Sequence, residues 1–288
     1  MSAPLDPRRN AFRADLADAR LEGRVDAARF VEGKAMTVAR PIAPLRREGR
    51  ASATQETQAL LGETVLVFEA HDDGWAWVQL DGDGYVGWME RAALSDRLAP
   101  ATHRVCVPST LLFPVPDIKQ PVRAHLPMGA RVAVGGEASD RNATYALVAP
   151  EGAVVVQHLQ DLDAKAADFV VVAELFLGAP YLWGGKTPLG ADCSGLVQTA
   201  LGLAGIAAPR DTDMQERELG EAVAPYAPSK RGDLVFWPGH VGIMLDEARL
   251  LHANAFHMAT RIEPLTEAVR RYEAKGVAIS GIRRLSLG

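Results

Sequence analysis

Cysteine is nearly absent from this chain: two residues in 288, Cys106 and Cys193. Neither has a partner at CxxC spacing, which argues against structural zinc, and nothing suggests a disulfide. No apolar run reaches the roughly 18 residues of a membrane-spanning helix. Charge is close to balanced, with 31 Lys and Arg against 36 Asp and Glu and a net −5. Neither nucleic acid nor an anionic membrane is therefore an expected partner. The N-terminus, MSAPLDPRRNAFRADLADARLEG, lacks the continuous apolar core of a secretory signal, and the chain is expected to stay in the cytoplasm.

What is present is an ordinary globular composition, 48% hydrophobic and 23% charged, over a length that suggests two or three domains. Residues 1–50 are arginine-rich, with a short helix expected near Asp15–Leu21, and read as an arm wrapped on the body. Residues 51–100 carry short β-type runs (Val65, Val67, Trp75, Trp77, Val78, Tyr85, Val86, Trp88) broken by DDG and DGDG turns. That texture describes a small β-barrel, and the tryptophans read as its core or edge. Residues 101–162 repeat it, LPMGARVAV echoing LLGETVLVF, and read as a second barrel. Cys106, in the apolar stretch HRVCVPS, is expected to be a buried, inert thiol.

From 163 to 288 the texture changes. Ala164–Leu177 has helical spacing, a cysteine segment follows, and the apolar runs GDLVFWPGHVGIML, RLLHANA and VAISGIRRL read as strands, an α+β layout. In ADCSGLVQTALGLAG, Cys193 precedes apolar residues at helical spacing, so it falls in the first turn of a helix. Unpaired amides and the helix dipole there are expected to lower a thiol's pKa. A nucleophilic thiol also needs a base and a group to orient that base. His240 and His252 each stand six residues from Asp246. A hairpin turning there would put both imidazoles on one face, one to take the thiol proton and one to hold it in the right tautomer. The alternative reading of core cysteine and strand histidines weakens when the three are taken together. No metal and no cofactor are expected.

The segments PYLWGGKTPLGADCSGLVQ, APRDTDMQ, KRGDLVFW, GHVGIML and LLHANA, in that order, resemble the NlpC-type papain-like cysteine peptidases, which cleave bacterial peptidoglycan peptides. DGYVGWM resembles the bacterial SH3-like domain. Two such barrels before the peptidase are similar to one branch, the γ-D-glutamyl-L-diamino acid endopeptidases that recycle murein peptides in the cytoplasm. The resemblance implies a multidomain fold: two all-β SH3-like barrels, then an α+β papain-like domain.

It also implies roles. Cys193 matches the nucleophile, His240 the base, His252 the polar third member and Tyr181 the oxyanion-site tyrosine. Trp183 would line the pocket. The implied substrate is a small peptide, L-Ala-γ-D-Glu-diamino acid. Its ammonium would meet Asp211, Glu63 and Tyr85, and its free carboxylate Ser194, Thr212 and Arg210. Asp192 is placed in the same site, with helix capping as its alternative role. An amidase or acyltransferase using the same cysteine remains open, as does a wall-binding module.

Overall fold

The computed structural model describes residues 4–149, 151–224 and 227–285. The chain divides into two compact units, Met1–Leu162 and Asp163–Gly288. Among the described residues no helix is long and apolar enough to cross a membrane.

In the first unit, seven strands form one sheet in the order Gln55–Leu60, Ile42–Arg46, Val86–Glu90, Trp75–Leu80, Thr64–Ala70, Lys34–Val38 and Leu94–Ser95. Alternating burial along these strands gathers Val38, Leu45, Val65, Val78, Tyr85 and Met89 into a core. The arm expected over residues 1–50 is thus shorter, because Lys34–Val38 and Ile42–Arg46 are strands of this sheet. The preceding residues do pack on it. Ala11 and Leu16 join Phe68 and Trp77, and the Arg13 guanidinium lies 4.3 Å from the Trp77 ring centre.

The helix expected near Asp15–Leu21 is instead a two-residue strand, Ala17–Asp18, followed by a 3₁₀ turn over Ala19–Leu21. The Asp18 side chain accepts the Arg20 N–H and so favours a tight turn. That local bond competes with the i→i−4 hydrogen bonds of an α-helix.

The later strands of this unit form a second, five-stranded sheet in the order Gly152–Val155, Thr144–Ala149, Arg131–Ser139, His103–Val105 and Leu159–Asp161. A hairpin of Ser109–Leu112 and Ala124–Pro127 accompanies it. Val105, Leu112, Leu126, Val132 and Val148 make its core, with Leu61 contributed from the turn after the Gln55–Leu60 strand. Cys106 lies just past the His103–Val105 strand and is half-buried, which pushes its thiol pKa up.

Among its described residues the second unit carries four helices, α1 (Phe169–Glu174), α2 (Cys193–Leu203), α3 (Thr212–Glu218) and α4 (Leu265–Glu273). Its antiparallel sheet runs in the order Glu221–Ala222, Gly281–Arg284, Leu234–Trp237, His240–Met244, Arg249–Asn254 and Ala259–Pro264. α1 is shorter than the expected Ala164–Leu177. The Asp168 side chain caps it by accepting the Val170 N–H, so the helix cannot begin earlier. Most of α2 is buried between α1 and the strands His240–Met244 and Arg249–Asn254. It ends at Gly205, whose φ of 78° suits the left-handed residue after a helix C-cap.

Candidate active site

Cys193 is the first residue of α2, and Asp192 before it is the N-cap. One carboxylate oxygen of Asp192 accepts the Gly195 N–H at 2.7 Å, closing the first turn. The other accepts the Gly184 N–H at 2.8 Å and the Arg210 guanidinium at 2.6 Å. The cap therefore also anchors the loop leading into the helix. Gly195 has to be glycine, because a Cβ there would sit 2.1 Å from the Gly185 carbonyl oxygen.

Cys193 is 6% exposed. The Thr212 hydroxyl, at the start of α3, lies 3.8 Å from its sulfur, and the Val241 backbone N–H points at it. The thiol thus faces the beginning of the strand that carries His240. Its pKa is not lowered as the helix-start position suggests. Burial first, and the Asp192 charge second, push it up to about 11, outweighing Val241, Thr212 and Arg210. Burial likewise pushes His240 down to about 3. Burial thus favours the uncharged form of both the thiol and the imidazole.

His240 and His252 do meet, with His240 Nε2 and His252 Nδ1 2.8 Å apart. The hairpin register pairs Met244 with Leu250, which centres the turn on Glu247 rather than Asp246. His252 therefore stands diagonal to His240 on the same face, still within reach. Tyr181, half-buried on the segment that bridges to Ala191 and Ala259, has its phenol pKa raised by burial and by the charges of Cys193, Asp192 and Tyr272. It belongs to the same cluster.

Other expected site residues divide. Arg210 is 1% exposed, and its guanidinium is committed to Asp192 and the Ser194 hydroxyl (2.8 Å) instead of being presented to solvent. Ser194 also donates to Asp192 at 3.3 Å. Asp211 is half-buried at the N-cap position of α3, and Trp183 is 59% exposed. Glu63 and Tyr85 belong to the first unit. The Glu63 carboxylate accepts the Leu60 N–H at 3.0 Å, and Tyr85 is part of that unit's core.

Three residues absent from the sequence reading join the site. Glu263 accepts from His252 Nε2 at 2.7 Å, and Arg271 holds that carboxylate, one nitrogen at 2.9 Å. Tyr272 stacks on His240, with ring centres 5.4 Å apart, and on Trp237 at 5.0 Å. Arg271 and Tyr272 lie on α4, which the apolar spacing Leu265, Ala268, Val269, Tyr272 and the stop at Gly276 could have revealed.

A buried thiol at a helix start, facing the strand that begins at His240, and a His240–His252–Glu263 hydrogen-bonded chain are the kinds of group that acyl transfer by a cysteine requires. Residues 178–277 match the NlpC/P60 family, and residues 45–94 match the bacterial dipeptidyl-peptidase SH3 domain. The gamma-D-glutamyl-L-lysine dipeptidyl-peptidase of Bacillus cereus is 29% identical over 237 residues, 73% of this chain and 70% of its own length. That of Bacillus subtilis is 29% identical over 238 residues, 76% of this chain and 78% of its own. A solved NlpC/P60 family structure from Bacillus cereus has the same fold, with a TM-score of 0.72 at 24% identity over 87% of this chain and 99% of that one. The protein thus carries an NlpC/P60 papain-like domain together with a bacterial SH3 domain, and is homologous to the gamma-D-glutamyl-L-lysine dipeptidyl-peptidases.

Proposed function

We propose that this cysteine peptidase hydrolyses the bond between the γ-carboxyl of D-Glu and a diamino acid in murein-derived peptides that begin with a free L-Ala. The observation that carries the reading is the hydrogen-bonded His240–His252 pair in the same cluster as the Cys193 thiol, in a domain homologous to peptidases of that class.

Cys193 is the nucleophile. With His240 Nε2 engaged by His252, Nδ1 is the nitrogen left to take the thiol proton. The sulfur then adds to the γ-carbonyl carbon. The Cys193 backbone N–H, at the positive end of α2, and the Tyr181 hydroxyl stabilise the oxyanion. His240 returns the proton to the departing amine, leaving a thioester to L-Ala-γ-D-Glu. Water, deprotonated by the same imidazole, releases the dipeptide and restores the thiol.

Recognition follows from the two charges flanking the bond. Asp211, at the start of α3, pairs the substrate ammonium. Thr212 and Ser194 donate to the free α-carboxylate, Ser194 by turning its O–H away from Asp192 while Arg210 holds its oxygen, and Trp183 forms a wall. The second β-sheet of the first unit is an SH3-like barrel related to the first. The requirement for a free amine places the reaction after an amidase-type step has released the peptide from its glycan, in cytoplasmic peptide recycling.

Burying a charge without a partner costs several kcal/mol, so substrates lacking the ammonium should be rejected. Mass spectrometry after incubation with L-Ala-γ-D-Glu-diaminopimelate and its N-acetylated analogue tests this. Cleavage confined to the free-amine peptide is expected; equal cleavage of both would contradict it.

A further inference from the structure

His252 is fully buried, and both of its ring nitrogens are engaged, Nδ1 by His240 and Nε2 by Glu263. The Glu263 carboxylate is itself 7% exposed, and Arg271 holds both of its oxygens. The geometry points to Glu263 and Arg271 as positioning residues that select the tautomer of His252 and, through it, which nitrogen of His240 is offered to Cys193. This rests on the reading of Cys193 and His240 given above.

The argument runs along the hydrogen bonds. An ionised carboxylate only accepts, so His252 must carry its proton on Nε2. Neutral His252 then has a lone pair on Nδ1, and His240 must donate to it from Nε2. That leaves the lone pair of His240 on Nδ1, free for the thiol proton. Glu263 alone would overshoot, because an unbalanced buried carboxylate favours the imidazolium form of His252. A cationic His252 would donate from Nδ1 to His240 Nε2, push the remaining His240 proton onto Nδ1, and remove the base. Arg271 supplies the compensating charge, and its guanidinium is fixed 4.4 Å above the Phe256 ring.

Other groups around His252 do not replace this pair. On the hairpin partner strand the facing titratable group is His240 itself. Arg261, opposite His252 in register, is exposed. α2 presents no charged side chain of its own, only the Cys193 thiol. From α4 come Arg271 and the Tyr272 phenol, whose pKa is pushed up to about 12, chiefly by burial. His257 Nε2 stands 3.6 Å from the second Glu263 oxygen, beyond ordinary hydrogen-bond distance.

The test combines kinetics with a direct readout of the protons. Protonation of the histidine pair sets the acid limb of kcat/KM. Arg271→Met should move that limb to higher pH by about one unit or more, and Glu263→Gln, which keeps an accepting oxygen but loses the charge, should move it lower. Glu263→Ala should lower kcat by about a hundredfold or more with KM little changed, wrong-tautomer triads losing up to roughly 10⁴, and Glu263→Gln should recover much of it. Should the variants not fold, long-range ¹H–¹⁵N spectra of wild-type protein labelled at histidine still decide, with Nε2 protonated on both rings as the expected result. A proton on His252 Nδ1, or acid limbs that do not shift in folded variants, would overturn the proposal. Turnover surviving in Cys193→Ala would instead remove the reading of the catalytic site and leave the tautomer result standing.

Discussion

At the scale of single residues, the decisive quantities are the two displaced pKa values. A thiol pushed up to about 11 beside an imidazole pushed down to about 3, both mainly by burial, rests uncharged. The thiolate then forms only as the proton moves to His240 during attack. Alkylation of the free enzyme by iodoacetamide should therefore rise with pH through the range 8 to 11. A preformed thiolate–imidazolium pair would give a plateau from mildly acidic pH, and observing one would refute this. Thr212→Val removes a hydroxyl that favours the charged sulfur, so alkylation at fixed pH should slow. Cys193, His240 and His252 were legible in sequence because their signals are local, a helix start and an even spacing within one hairpin. Glu263, Arg271 and Tyr272 were not, since each reaches the pair only through packing of a later strand and helix. The direction of the thiol shift departs from the helix-start expectation for a related reason. Helix-start position can be read from sequence, but the burial of the sulfur cannot.

At the scale of elements, the start of α2 depends on Asp192, which holds a helix turn, a loop amide and a buried guanidinium together. Asp192→Ala removes a cap, worth about 1 kcal/mol, and strands Arg210, worth about 3–5 kcal/mol. Urea unfolding should show a loss of that order. A loss below about 1 kcal/mol would mean that the ion pair contributes nothing. Asp192→Asn keeps the cap oxygen and should cost less. Gly195→Ala should separate α2 from the Gly185 loop and reduce turnover, because its Cβ would overlap a backbone oxygen. The elements themselves followed from pattern where the pattern was long: the strands Trp75–Leu80 and His240–Met244 and the helix after Cys193 stand where periodicity places them. Short elements did not follow. A capping aspartate shortens α1, and another converts the expected arm helix into a turn.

At the scale of the whole molecule, buried neutral histidines make folding sensitive to acid. The ordinary histidine pKa is 6.5, and that of folded His240 is held near 3. The unfolded chain therefore binds the proton more readily between these values. The stabilisation is complete above 6.5 and is lost as the pH falls toward 3. Glu263, held below the usual 4.5, adds a further loss at the acid end. The unfolding midpoint should fall over this range, and a His240→Asn variant should show a shallower fall. An identical slope would contradict the assignment. The division into two units near residue 162 coincides with a change in texture that composition displays, whereas the true extent of the first sheet depends on strands from Lys34 onward that an arginine-rich segment concealed.

The central claim is that one sulfur carries out the hydrolysis. Turnover of L-Ala-γ-D-Glu-diaminopimelate by wild type and Cys193→Ala, compared at matched circular dichroism, tests it most directly. The account predicts release of L-Ala-γ-D-Glu by the wild type and none above background by the variant. Release of the dipeptide by a folded Cys193→Ala protein would contradict it.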